Sequence, residues 1–182
     1  MWKNLISLVE KNTSNNNDLS FNNCYELSTN FSDILNNFML LKDSKIEFGR
    51  YLVHSCSDFN IQIDVFSDNY TGAVHSHGTW GLFGLVSGNL FVDDWSNVNG
   101  KFTQHRSSYL KKGSTQFFLK ENDWHRVKTV SGDEQTLSIH IYGPNYDLDN
   151  GEKLDSNLNI EPYKRSPFKN LSLVESAFQK NI

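Results

Sequence analysis

The chain of 182 residues is poor in cysteine and in positive charge. Its two cysteines, Cys24 and Cys56, are too few for a disulfide framework and lack the close spacing of a metal-binding pair, so both are predicted to be free thiols. A formal net charge of −4 argues against a nucleic-acid or anionic-membrane surface, because phosphate binding needs clustered lysine and arginine. We therefore expect small-molecule or protein partners, and a monomer or small homo-oligomer.

The chain also shows no long apolar segment near its start and no internal repeat. The first twelve residues contain a short apolar run followed by Glu10 and Lys11, which is too brief and too charged for a signal peptide or a membrane span. We therefore expect a cytoplasmic protein. The missing repeat excludes a solenoid or a propeller. A hydrophobic content of 37%, with 13% aromatic residues, is typical of one globular domain with a full core.

A single domain over residues 1–182 is predicted to begin with a helical segment, residues 1–45. Apolar positions recur there at helical intervals, which predicts one amphipathic helix around residues 2–9 and a second around residues 31–41. The asparagine-rich stretches 15–17 and 22–23 are predicted to be loops that interrupt this segment.

The middle of the chain, residues 46–143, is predicted to form a small β-barrel. Residues 60–65 and 137–142 alternate between apolar and polar, and other short apolar segments are broken by Gly, Asn and Asp. The tail, residues 144–182, is more polar. It is predicted to wrap around the barrel, with a last amphipathic turn at residues 171–178.

Three histidines are candidates for a metal site inside this barrel. His75 and His77 are one residue apart, so on a strand both side chains point to the same face. His125 follows about fifty residues later and would be brought close when the barrel closes. Three neutral imidazoles on one side of a metal leave positions open for ligands, which indicates a catalytic site. The pair alone is equally consistent with a chance polar edge, and His125 favours the metal.

A second group of polar residues alternates on one predicted strand: Ser138, His140 and Tyr142. Because they share a face, their side chains can form a relay in which each group orients the next one and its proton. The alternative is a solvent-facing row of polar side chains, with the apolar residues between them forming the core. Periodicity alone favours that alternative.

From about residue 50 to residue 142 the chain resembles the thiol dioxygenases of the cupin superfamily, above all the cysteine dioxygenase type. Four features carry the resemblance, in chain order. They are Arg50, which lies 25 residues before His75; the pair His75 and His77 followed by Gly78-Thr79-Trp80-Gly81, as in the bacterial branch; Trp124-His125-Arg126-Val127; and Leu137-Ser138-Ile139-His140-Ile141-Tyr142-Gly143-Pro144.

The resemblance implies a mainly β fold, the cupin double-stranded β-helix or jelly-roll barrel, with N-terminal α-helices. It also implies a non-haem Fe(II) cofactor and O2 as co-substrate, which together oxidise cysteine or 3-mercaptopropionate to a sulfinate. The implied site consists of the metal ligands His75, His77 and His125, the catalytic residues Tyr142, His140 and Ser138, and the substrate-binding residue Arg50.

The chain departs from other cupins and from mammalian cysteine dioxygenases at two points. Residues 78–86 lack the glutamate that most cupins use as a fourth ligand, which leaves Fe(II) its full charge and favours a thiolate ligand. Gly81 or Leu82 stands where the mammalian enzymes have a cysteine crosslinked to the tyrosine, so no crosslink is expected. Trp80 is interpreted as core rather than pocket wall, and His54 and His105 match no ligand position.

Substrate and reaction class stay open at this stage. Bacterial relatives that act on 3-mercaptopropionate often place their arginine after the tyrosine strand, but Lys153, Lys164 and Arg165 do not match that position convincingly. A metal-dependent lyase or isomerase, with Tyr142 as general base, is one alternative. A cupin that binds a metal or ligand without turnover is another. Imidazole ligands also accept Zn, Cu and Ni, so the residue types alone do not identify the metal.

Overall fold

A computed structural model describes residues 2–13, 21–38, 40–41, 45–130, 132 and 135–178. The helices are α1 (Trp2–Thr13), α2 (Phe21–Leu35), α3 (Ser172–Glu175) and a short 3-10 helix (Lys120–Asn122). The strands are β1 (Gly49–Ser55), β2 (Asn60–Val65), β3 (His75–Ser76), β4 (Gly81–Ser87), β5 (Asn89–Val98), β6 (Lys101–Lys111), β7 (Thr115–Phe118), β8 (His125–Thr129), β9 (Leu137–Tyr142), β10 (Asn150–Leu154), β11 (Ile160–Lys164) and β12 (Phe168–Lys169). Within the described ranges, no helix is long and apolar enough to cross a membrane.

The strands form two six-stranded sheets, with the orders β12-β1-β2-β9-β4-β7 and β11-β10-β3-β8-β5-β6. From β2 to β9 the chain passes back and forth between the sheets, and each sheet receives four of these eight strands, paired antiparallel. This winding is the double-stranded β-helix of jelly-roll barrels. The predicted fold class, a mainly β barrel with N-terminal helices, is confirmed.

Strands β2 and β9 coincide with the two segments whose alternation predicted them, residues 60–65 and 137–142. Strand β9 lies in the middle of its sheet, between β2 and β4. All six of its residues are buried, so both faces of this strand are covered.

One face of the first sheet packs against α1 and α2. The helices contribute Leu5, Val9, Leu27, Phe31 and Leu35 to one apolar cluster with Ile61, Leu82, Ile139, Ile141 and other residues of the sheet. The helices approach the sheet closely at Gly84, where an added Cβ would lie 2.2 Å from Leu35 Cδ1. The opposite face looks into the barrel, where a second cluster contains Phe83, Leu90, Val92, Val127 and Tyr142.

Helix α2 differs from its prediction at both ends. It begins at Phe21, so Asn22 and Asn23 lie in its first turn and not in a loop, and it ends at Leu35 instead of continuing to residue 41. Burial of Leu27, Phe31 and Leu35 at helical spacing outweighs the weak helix preference of asparagine. The predicted loop at residues 15–17 lies outside the described residues.

The tail adds strands to the barrel, which its polar sequence did not predict. Strand β12 pairs with β1 at the edge of the first sheet, and β10 pairs with β3 in the second sheet, with β11 beyond it. Helix α3 falls within the predicted turn at residues 171–178, and Trp2 Nε1 donates a hydrogen bond of 2.7 Å to Glu175. The tail therefore becomes part of the wall at one end of the barrel.

Candidate metal centre

The three candidate histidines meet at one point of the barrel interior. His75 on β3 lies directly opposite His125, the first residue of β8, and His77 follows β3. Their possible ligand atoms all lie within 4.8 Å of one another. His77 and His125 are buried and His75 is half-buried. This group can hold one metal ion.

The hydrogen bonds of these histidines fit metal binding. Nδ1 of His75 donates to the Ala73 carbonyl at 3.0 Å, and Nδ1 of His125 donates to the Asp123 carbonyl at 2.8 Å, which leaves the Nε2 lone pairs free. Both ring nitrogens of His77 are buried without a partner among the described residues. A buried imidazole in this state is unfavourable, and a metal ion would satisfy it.

The electrostatics of the cluster favour neutral imidazoles. Desolvation lowers the pKa of His75 to about 4. Desolvation, reinforced by the neighbouring histidines, lowers the pKa of His77 and of His125 well below the usual value. Near neutral pH the three side chains are therefore deprotonated, the state that coordinates a metal.

Asp123 connects the two ligand segments, a role that the sequence analysis did not identify. Its carboxylate is buried and accepts hydrogen bonds from Ser76 Oγ at 2.8 Å, from the His77 N–H at 2.7 Å and from the Gly78 N–H at 2.6 Å. Its own carbonyl orients His125. One residue thus fixes the turn that carries His77 and the ring orientation of His125. Its position two residues before His125 was the only sequence signal.

Ser138, His140 and Tyr142 form the predicted hydrogen-bonded chain. Ser138 Oγ lies 2.7 Å from His140 Nε2, and Tyr142 Oη lies 2.9 Å from His140 Nδ1. All three side chains are buried, so the alternative of a solvent-facing row is wrong. The centroids of the Tyr142 and His77 rings lie 4.4 Å apart. The tyrosine end of this hydrogen-bonded row is therefore beside the histidine cluster.

Burial keeps the side chains of His140 and Tyr142 neutral. Desolvation lowers the pKa of His140, and the nearby Asp64 charge opposes that shift. Desolvation raises the pKa of Tyr142 well above its usual range. Asp64 Oδ2 lies 3.5 Å from His140 Nε2, so a carboxylate stands beside the imidazole.

A cavity of about 200 Å³ opens onto the histidine cluster. His140 and Tyr142 are among its lining residues, and the tail supplies Tyr146, Tyr163 and Arg165. The volume is smaller than that of drug-sized pockets and suits a ligand of a few non-hydrogen atoms.

The predicted substrate-binding residue Arg50 lines this cavity, and so do Arg165 and Lys153. Lys164 is exposed on the edge strand β11 and does not line the cavity. The sequence provided no reason to choose Arg165, because β10 and β11, which carry the chain back to the cavity, were not predicted.

The residues that were assigned no role lie elsewhere. His54 is half-buried on β1 against Phe59, with ring centroids 5.2 Å apart, and His105 is exposed on β6. Trp80 is 1% exposed within the core, as interpreted from the sequence. Cys24 and Cys56 are free thiols, as predicted, and burial raises the pKa of Cys24 to about 11.

No protein-family model matches the chain. Among solved structures, the chain is similar to a protein from Bacillus halodurans, with a TM-score of 0.49 and 11% identity, covering 81% of this chain and 92% of that one. It is similar to an RmlC-like cupin family protein with a double-stranded β-helix fold from Methanocaldococcus jannaschii, with a TM-score of 0.46 and 10% identity, covering 59% and 88%. A cupin 2 domain-containing protein from Halorhodospira halophila has a TM-score of 0.46 and 12% identity, covering 64% and 75%.

Proposed function

We propose that the protein is an Fe(II)-dependent thiol dioxygenase that oxidises a small carboxylated thiol, cysteine or 3-mercaptopropionate, to its sulfinate. The observation that carries the proposal is the buried chain Ser138–His140–Tyr142, whose tyrosine ring packs against His77. A site that only binds a ligand has no use for an aligned chain of proton-carrying groups beside its metal ligands. The resemblance of the same residues to the thiol dioxygenases supports the assignment.

The reaction is balanced by the thiol and O2 alone. Two S–O bonds form and the O–O bond breaks, and the four electrons lost by sulfur are taken up by the two oxygen atoms. No further reductant is needed. Bound Fe(II) would supply the coordination sites for sulfur and oxygen and the one-electron chemistry that O2 requires.

The side chains of the protein would position the reactants and transfer a proton. His75, His77 and His125 offer three neutral nitrogens from one side, which leaves the cavity side open. The Tyr142 hydroxyl, held by His140, can donate or accept a proton at its oxygen beside that open side.

Oxygen uptake tests the proposal directly. Protein loaded with Fe(II) without air is offered cysteine, 3-mercaptopropionate and cysteamine in parallel, and the products are examined by mass spectrometry. We expect uptake with at least one carboxylated thiol and a product that has gained two oxygen atoms. Absence of uptake with all three thiols, at stoichiometric Fe(II), would contradict the proposal.

A metal-dependent lyase or isomerase is a second candidate because of Asp64. The Asp64 carboxylate, 3.5 Å from His140 Nε2, opposes the desolvation that keeps this imidazole neutral, so His140 could take up the Tyr142 proton during turnover and let Tyr142 act as a general base. Such an enzyme would turn over without O2. Turnover of a carboxylated sulfur compound under nitrogen would favour this candidate over the dioxygenase.

A further inference from the structure

The cavity carries more positive than negative charge. Three cationic side chains line it, Arg50, Lys153 and Arg165, against one carboxylate, Asp64, among the described lining residues. Lys153 is paired with Glu161 at 3.0 Å. The two arginines therefore remain as candidates for binding an anionic group of a ligand.

The guanidinium of Arg50 is already occupied by the protein. Its Nη1 donates to the carbonyls of Leu148 at 3.2 Å and Ser166 at 2.9 Å. Its Nη2 donates to Gln62 Oε1 at 3.1 Å and to Tyr146 Oη at 3.4 Å. All four hydrogens on these two nitrogens thus have acceptors. Arg50 fastens the tail to β1, and binding a ligand would require breaking these bonds.

The guanidinium of Arg165 is fixed but only partly occupied. Its Nε donates to the carbonyl of Asn150 at 2.7 Å, and its Cζ lies 4.8 Å from the Tyr146 ring centroid. Nη1 donates to Tyr163 Oη at 2.8 Å, and Nη2 donates to the Ser76 carbonyl at 3.4 Å. One N–H on each of these nitrogens has no acceptor among the residues that the structure describes. A fixed guanidinium with two free N–H groups suits a carboxylate.

The position of Arg165 links this anion site to the histidine cluster. Its contact at the Ser76 carbonyl lies on the peptide segment between the two candidate ligands His75 and His77. The Arg165 guanidinium therefore stands at the edge of the metal site. The three histidines and Arg165 line the same cavity of about 200 Å³, so a ligand that fills it would contact both.

We propose that Arg165, and not Arg50, binds the carboxylate of the thiol substrate. This inference rests on the proposed thiol dioxygenase function and deepens it by naming the residue that selects carboxylated thiols. Arg50 is then a structural residue, although the resemblance favoured it as the substrate-binding arginine.

A binding experiment without turnover tests the proposal. The protein is loaded with Co(II) under nitrogen and titrated with 3-mercaptopropionate and with 3-mercaptopropionamide, its neutral analogue, while the sulfur-to-cobalt absorption band is recorded. We expect the wild type to bind the acid at least tenfold more tightly than the amide, as a charge-assisted pair of hydrogen bonds gives. Arg165→Gln should remove this preference and leave the affinity for the amide unchanged.

Three further variants make the result specific. Lys164→Gln removes the same charge one residue away on an exposed side chain and should keep the preference. Arg50→Gln should also keep the preference but lower the melting temperature, because its acceptors lose their donors. Arg165→Lys retains the charge without the planar fork and should keep only part of the preference, which provides a second test if Arg165→Gln does not fold.

The outcomes separate this inference from the proposed function. A full preference in Arg165→Gln, or its loss in Arg50→Gln alone, would overturn the role of Arg165 and leave the proposed function standing. If neither thiol produces the absorption band in the cobalt-loaded wild type, the protein does not bind thiols at its metal. The proposed function and the inference then fail together.

Discussion

The two faces of strand β9 are equally buried and chemically opposite. Leu137, Ile139 and Ile141 pack under the helices in the larger apolar cluster. Ser138 and His140, with exposures of 0% and 4%, point the other way, toward the barrel interior. Burial alone therefore does not distinguish core from site in this protein. The difference lies in the neighbours, since one face meets aliphatic side chains and the other meets histidines and hydrogen-bonding groups.

If the barrel interior that the inward face of β9 lines holds a metal, removing one of the histidine ligands should have the largest effect on metal binding. We expect His125→Ala to abolish tight metal binding, because two imidazoles from a single short segment cannot surround an ion from three directions. Metal content after dialysis, measured by mass spectrometry, checks this. His105→Ala, at an exposed histidine, is the matched control and should retain the metal. Full metal retention in His125→Ala would remove the basis of the site.

Removing the Tyr142 hydroxyl distinguishes a catalytic role of this inward-facing side chain from a packing role. Tyr142→Phe keeps the ring against His77 and loses only the oxygen that contacts His140. We expect unchanged metal content and a turnover lower by about 10² to 10⁴-fold, the usual contribution of a positioned acid or base. Steady-state oxygen uptake measures it, with Tyr109→Phe at an exposed tyrosine as control. Equal turnover in both variants would show that the hydroxyl is not used.

On the helix-facing side of β9, a substitution should lower stability and leave metal binding unchanged. Ile139→Ala removes a fully buried side chain from the helix-facing core, and we expect the free energy of unfolding to fall by about 2 to 5 kcal/mol. Urea unfolding of the metal-free protein gives this value. Metal affinity below the unfolding transition should be unchanged. A parallel loss of affinity would mean that the two faces are coupled rather than separate.

The last expected effect is a pH dependence of the stability of the metal-free protein. The folded pKa of His75 is about 4, below the usual value of 6.5, because desolvation favours the neutral ring. The unfolded chain therefore binds more protons between these values, so stability is full above about pH 6.5 and falls as the pH drops toward 4. Melting temperatures across this range check the trend, which His75→Gln should weaken. A melting temperature that rises toward pH 4 would contradict it.

The alternating pattern was sufficient to predict β2 and β9, because side chains on successive strand residues point to opposite faces. The same rule placed His75 and His77 on one side. It failed for the tail strands β10, β11 and β12, whose residues are mostly half-buried or exposed and show no strong apolar signal. The start of α2 was also not predicted, because its asparagines have a weak helix preference and tertiary contacts stabilise the helix there.

By itself the sequence determined the strand faces and the candidate ligands, because both depend on spacing over a few residues. Only the tertiary structure decided that both faces of β9 are buried, since the helices that cover one face come from the other end of the chain. It also gave the two arginines their different hydrogen-bond partners. Arg50 finds two of its acceptors 98 and 116 residues away, and Arg165 contacts Ser76 across 89 residues. Contacts over such separations arise from the path of the folded chain, which local periodicity does not specify.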